Sequence, residues 1–107
     1  MTTINNEHHY CALINVFSVE PEKANDLFAL LKKATEEVMS KLPGYVSANL
    51  HISVDKRTVT NYAQWKSIGH FEQMQKNENA IAHMKQAASP AKEFKPVLYS
   101  TIWSDGK

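Results

Sequence analysis

Between His9 and Val19 apolar residues fall on both alternating faces: Tyr10, Ala12, Ile14 and Val16 on one, Cys11, Leu13 and Phe17 on the other, where Asn15 interrupts them. A strand so apolar on both sides predicts cover over both of its faces. Glu20-Pro21-Glu22 predicts a helix start, because proline is tolerated in the first turn and acidic side chains sit well against the positive end of the helix dipole. Leu27, Phe28, Leu30, Leu31, Ala34, Val38 and Leu42 then recur at helical spacing, opposite Lys32, Lys33, Glu36 and Glu37, and Pro43-Gly44 ends the helix.

Tyr45 to Val54 alternates strictly. Val46, Ala48, Leu50, Ile52 and Val54 form one face, and Tyr45, Ser47, Asn49, His51 and Ser53 the wetter one. Asp55-Lys56-Arg57 is a polar turn, and the β-branched and aromatic run from Thr58 to Lys66 completes a hairpin. Ser67 caps a helical region carrying Phe71 and Met74. It breaks at Lys76-Asn77-Glu78-Asn79 and resumes through Ala80, Ile81, Met84 and Ala87 until Ser89-Pro90. A last strand runs from about Lys95 to Ser104 through Val97, Leu98, Tyr99, Ile102 and Trp103.

Strand, helix, strand, strand, helix, strand is the order of an α+β, ferredoxin-like βαββαβ subunit. A chain of 107 residues, 43% of them hydrophobic, makes one domain, with its core over about residues 9–104. Helices cover only one face of such a sheet. The apolar outer positions of the first and last strands therefore predict a second sheet against them, in a homodimer.

Charge narrows the partners. Twelve basic and eleven acidic residues are spread along the chain for a net charge of +1, so no basic face is offered to nucleic acid or to a membrane surface. The polar start MTTINNEHH and the lack of an apolar run of roughly 20 residues predict neither export nor membrane insertion. The single cysteine, Cys11, lies in an apolar run and predicts a buried, reduced thiol in a cytoplasmic protein. The five histidines show no HxH or HxxxH spacing, so no metal is assigned, and His8 and His9 read as a solvated terminus. No glycine-rich phosphate loop, GxSxG elbow or CxxC pair is present, and no nucleotide, flavin or nicotinamide cofactor is expected.

Candidate chemistry lies on the two central strands, the first and third. Asn15 shares its face with Cys11, Leu13 and Phe17, and Asn61 shares its face with Val59, Ala63 and Trp65. Both amides thus face the space between sheet and helices. A buried amide without a partner costs about 1–3 kcal/mol, and two of them require a reason. Either they pair with each other or with backbone while Trp65 fills core, or they look into a small apolar cavity built for an aromatic ligand, with Trp65 as stacking surface and N–H donor. His83, beside Met84 and Ala87, either reaches the same cavity or sits at a helix edge. Lys85 is either solvated or turned inward. His51 belongs to a wet strand face and His70 to a helix surface.

The segment Asn61-Tyr62-Ala63-Gln64-Trp65, preceded by Leu42-Pro43-Gly44-Tyr45-Val46-Ser47-Ala48 and followed by an amphipathic helix, resembles the antibiotic biosynthesis monooxygenase family over about residues 10–103. Within that family it resembles the small oxygenases of aromatic polyketide tailoring. The resemblance implies a dimeric α/β barrel of ferredoxin-like subunits. It also implies a cofactor-free, metal-free oxidation by O₂ of a small aromatic substrate, an electron-rich hydroxylated anthrone or naphthol, to a quinone. It implies catalytic roles for Asn15, Asn61 and Trp65 and places Phe71 and Lys85 at the substrate; with Phe17, Met74 and His83 these are the expected substrate-binding residues.

Two positions depart from the polyketide pattern: Phe71 stands in place of a pocket tyrosine, and Lys85 in place of a helix arginine. Haem-degrading relatives also use a first-strand asparagine, but Met74 stands where their tryptophan would fall and His83 is off register by one. A non-enzymatic dimeric binding or stress-response module, or a relative that processes a signalling molecule, would present the same pocket.

Overall fold

Strands β1 (Cys11–Ser18) and β3 (Thr58–Trp65) run antiparallel at the centre of a four-stranded sheet, with β2 (Tyr45–Ile52) beside β3 and β4 (Glu93–Tyr99) beside β1. The computed structural model describes residues 10–103, 105 and 106; His8 and His9 lie outside them. The order β2-β3-β1-β4 is the ferredoxin-like arrangement expected from the pattern. Pro96 is accommodated because β4 is an edge strand, where a missing N–H need not break a ladder.

Helices α1 (Ala24–Glu37), α2 (Ile68–Gln75) and α3 (Glu78–Ala87) are joined to these strands by short connections. Helix α1 buries Ala24, Leu27, Leu31 and Ala34, one stripe at three- and four-residue spacing. Caps separate α2 from α3. The Ser67 Oγ accepts from the His70 N–H, and the Asn77 Oδ1 accepts from the Ala80 N–H, each satisfying a donor that the first turn leaves free. Among the described residues no helix is long and apolar enough to cross a membrane.

The core divides in two. One cluster gathers Phe17, Val19, Leu27, Leu31 and Val59, and the other gathers Cys11, Met39, Trp65, Phe71 and Met74. Met84 packs against both. Each large side chain removed from water here contributes roughly 1.5–3 kcal/mol. Cys11 is buried and free, and burial pushes its thiol pKa above the usual value.

Three element ends and the interior of one strand differ from the sequence pattern. The first helix ends at Glu37 rather than Leu42: Pro43 holds Leu42 extended (ψ 148°), and Met39–Lys41 tighten into a 3₁₀ turn. The second strand stops at Ile52, since Ser53 opens the turn by donating to the Thr58 carbonyl at 2.9 Å, and Val54 is fully exposed. The last strand ends at Tyr99, because Tyr99 already lies opposite Ala12 and β1 begins one residue earlier; Trp103 is exposed, and the expected end at Ser104 lies outside the described residues.

The fourth difference matters most for the site. Tyr45 pairs with Trp65, but the next pair is Ser47 with Gln64, so Val46 is the extra residue of a β-bulge. Strict alternation puts Tyr45 with Ser47 and Asn49; the bulge returns it to the helix-covered face with Ala48, Leu50 and Ile52.

Gly44 enters this bulge at φ +82°, in the left-handed region, and places no side chain where the ring of His70 lies over it. His70 is thereby a packed residue, with Nδ1 2.7 Å from the Ser67 Oγ, rather than a helix-surface one. A Cβ at position 44 would overlap the Cβ and ring of His70. Gly44→Ala is expected to lower the unfolding free energy by about 2 kcal/mol in urea denaturation, from left-handed strain and overlap together. Adding His70→Ala should return only the overlap part, so the two substitutions will not be additive.

Candidate functional site

Small residues open the space between the two core clusters. Ala48, Ala63 and Leu13 are neighbours across β2, β3 and β1, and the two alanines leave the middle of the sheet's inner face low. Helices α2 and α3 bridge over it. The result is a cavity of about 150 Å³ whose floor includes Asn15, Asn61 and Trp65 and whose roof includes Phe71, Met74 and Met84. A second cavity of about 310 Å³ shares Asn15, Ile81 and Met84 and is completed by Phe17, Lys85, Ala88 and Phe94. Small-molecule sites occupy roughly 300–1,000 Å³, so the second chamber alone reaches the lower end of that range.

The register of the central strands puts Asn15 directly opposite Asn61. Both are more than nine-tenths buried, and the Oδ1 of each is sealed from solvent without a hydrogen-bond partner. The two amides therefore do not satisfy each other. Trp65 is buried to 1% exposure, and its Nε1 is likewise sealed and unpartnered. A T-shaped contact with Tyr45, ring centroids 5.9 Å apart at 90°, fixes the indole plane. Three polar atoms beside one apolar cavity, the two Oδ1 and the Trp65 Nε1, thus have no partner within the protein, which calls for a polar group of something else.

The expected site residues divide accordingly. Asn15, Asn61, Trp65, Phe71 and Met74 line the first chamber, and Asn15, Phe17 and Lys85 line the second. His83 joins neither. It lies in an outer groove between α1 and α3 with Leu30, Lys33 and Glu37, and its Nδ1 is 2.9 Å from the Asn79 carbonyl oxygen. Helix α3 turns Ala80, Ile81 and Met84 to the sheet, and position 83 falls on its neighbouring face. Among the described residues no group of three or more His, Cys, Asp or Glu side chains is placed to hold a metal ion.

Sequence reasoning missed Tyr45, Thr35 and Met39 on the first chamber. Tyr45 is hidden by the bulge: Tyr45 and Val46 are both large and apolar in body, so the pattern gives no sign of which is the inserted residue. Burial of the Tyr45 ring pushes its phenol pKa above the usual value. Gln64 faces the opposite side of the sheet, fully buried, with its Oε1 accepting from the Ser47 Oγ at 3.0 Å and its Nε2 unpartnered.

Comparison with known proteins places this geometry in context. Residues 11–88 match the family model described as Antibiotic biosynthesis monooxygenase. The chain is 36% identical over 106 residues to tetracenomycin-F1 monooxygenase of Streptomyces glaucescens, a match that covers 99% of this chain and 94% of that protein. The ActVA-Orf6 monooxygenase of Streptomyces coelicolor, solved in complex with nanaomycin D, is similar with a TM-score of 0.79 and 25% identity over 96% of each chain. SnoaB of Streptomyces nogalater, a cofactor-independent oxygenase, shares the fold with a TM-score of 0.78 at 15% identity, over 90% of this chain and 96% of that one.

An unpartnered buried amide is a cost that the folded chain carries. Asn61→Leu, near in volume and without the polar group, is expected to raise the unfolding free energy by about 1 kcal/mol in urea denaturation. A loss of stability instead would show that Asn61 is engaged by the protein itself.

Proposed function

The chain belongs to the antibiotic biosynthesis monooxygenase family, and from that membership we propose that it is a cofactor-independent monooxygenase that oxidises an electron-rich hydroxylated aromatic, of anthrone or naphthol type, to a quinone with O₂. The observation that carries this reading is the convergence of Asn15 and Asn61, each with an Oδ1 that has no protein partner, and of the unpartnered Trp65 indole N–H on one apolar cavity.

Few residues suffice because the substrate supplies the electrons. A phenolate or the carbanion derived from it gives one electron to O₂, which reacts slowly with closed-shell molecules, and the two radicals then combine as a peroxide. One oxygen atom stays as the new carbonyl and the other leaves as water. The protein favours the deprotonated substrate and shields the radical pair. The amide N–H groups of Asn15 and Asn61 hold the substrate oxyanion, and the Trp65 N–H holds the peroxide. Preorganised donors in a dry site are worth roughly 3 kcal/mol each. Met74, Phe71 and Met84 exclude water above the ring system, and Phe17 and Lys85 receive its far end. Lys85 adds a positive charge that favours the ionised substrate.

The proposal includes a cytoplasmic homodimer. Support comes from the outer sheet face, where Val16, Val97 and Tyr99 are 40%, 37% and 43% exposed beside the sealed Gln64. An apolar face of this kind is the usual mark of an interface.

Oxygen uptake with anthrones and naphthols tests the reading. Asn61→Ala and Trp65→Phe are each expected to cut turnover about a hundredfold, with unchanged circular dichroism and sedimentation. Full activity in both variants would sink it. Ligand-raised thermal stability without any oxygen uptake would instead favour a binding module.

A further inference from the structure

The bulge at Val46 gives the cavity a side chain that the mechanism above leaves unused. Tyr45 is both its wall and its boundary. On the inner side the ring faces the chamber with Asn61 and Trp65. On the outer side it lines a surface groove of about 370 Å³ with Phe28, Lys32, Glu36 and Leu50. Thr35 and Ala48 likewise border both spaces.

Among the residues that line the first chamber, Tyr45 alone carries a titratable group. Phe71 has no hydroxyl, and the Thr35 Oγ1 is committed, donating to the Leu31 carbonyl at 2.9 Å. An indole N–H does not dissociate near neutral pH, so Trp65 can hold a peroxide by a hydrogen bond but not feed it a proton.

Resting on the oxygenase reading, we propose that Tyr45 is the proton-transfer residue of the cavity, exchanging protons with the reacting oxygen and carbon on its inner side and with the groove on its outer side. The steps balance without a further reagent. The substrate gives a proton to the Tyr45 oxygen as Tyr45 passes its own proton to water in the groove, and the resulting carbanion adds O₂ as a peroxide anion. The Tyr45 hydroxyl gives its proton to that peroxide. The O–O bond then breaks as the tyrosinate takes the remaining proton from the same carbon. The C–H electron pair becomes the second bond of the carbonyl, hydroxide departs with the O–O pair, and it combines with the proton released at the start. O₂ is the oxidant throughout.

An ordinary phenol is protonated at neutral pH, the form the transfer to the peroxide needs, and burial pushes the Tyr45 pKa further up, against the opposing effect of the Ala48 backbone N–H, which leaves the hydroxyl proton free to be given. The charged groups that line the spaces on its two sides are Lys32 and Glu36 of α1, both in the groove; the chamber is lined by none.

Tyr45→Phe keeps the ring against Trp65 and removes only the hydroxyl. With an anthrone as substrate, kcat is expected to fall about a hundredfold, the usual scale for a positioned proton donor, while KM stays within about threefold. An unchanged kcat overturns the proposal. A second readout stands apart from turnover: 1,8-dihydroxyanthraquinone bound to the protein, titrated by absorbance. Its bound ionisation constant should drop about tenfold in Tyr45→Phe, because the phenolate loses a donor. Should the wild-type chain take up no oxygen, the oxygenase reading fails and this titration alone decides whether Tyr45 meets the ligand, an unchanged constant overturning that too. A chain that neither turns over the anthrone nor binds the anthraquinone overturns both.

Discussion

The antiparallel register between β1 and β3 is the constraint on which the site depends. Eight successive pairs run from Cys11 opposite Trp65 to Phe17 opposite Val59 and Ser18 opposite Thr58. A slip of one residue would send every inward side chain to the other face, taking Asn15 and Asn61 out of the cavity together. What prevents the slip is the burial at the two ends of the inner face: Phe17 and Val59 lock into one core cluster, Cys11 and Trp65 into the other. Each anchor contributes roughly 1.5–3 kcal/mol, against about 1–3 kcal/mol for each unpartnered amide between them. The apolar ends hold the polar middle in a position it would not choose.

That division of labour explains why the domain has two clusters rather than one continuous core. Alanine at 48 and 63 withholds the side-chain volume that would close the centre, and Met84, which touches both clusters, spans the gap from the helix side. An unbranched thioether suits such a place, because it fills irregular space without fixing its shape. The chamber is thus written into the same strand residues that set the register, and any bulkier side chain at 63 would fill it.

Most of the fold and part of the site are legible in the order of the residues. Period-two and helical patterns identify the elements and their order, since burial on one face imposes those periods directly. The pairing of Asn15 with Asn61 follows from topology, because strands one and three are neighbours in this fold and both amides interrupt apolar faces. Tyr45 is not legible, because a bulge changes face without changing composition. His83 is misplaced by its spacing for a related reason. One position on a helix is a rotation of about 100°, enough to move a ring from the sheet side, where Met84 lies, to the groove beside α1. The ends of the first helix and last strand depend on the conformation before Pro43 and on where β1 begins, which are facts about partners rather than periods.

The bulge also joins two features that lie apart along the chain. Gly44 at positive φ allows the chain to enter the inserted residue, and His70 lies over it from the start of α2. The same α2 begins at the Ser67 cap and carries Phe71 and Met74 into the roof of the chamber. The glycine therefore sets two distances at once: how close α2 comes to the sheet, and which face the next residue takes. With a β-carbon at 44, α2 would lift and the roof with it; without the inserted Val46, Tyr45 would point away and leave Trp65 with no edge-on neighbour. Wall and roof are consequences of one local backbone choice, made at the point where the first helical layer hands the chain back to the sheet.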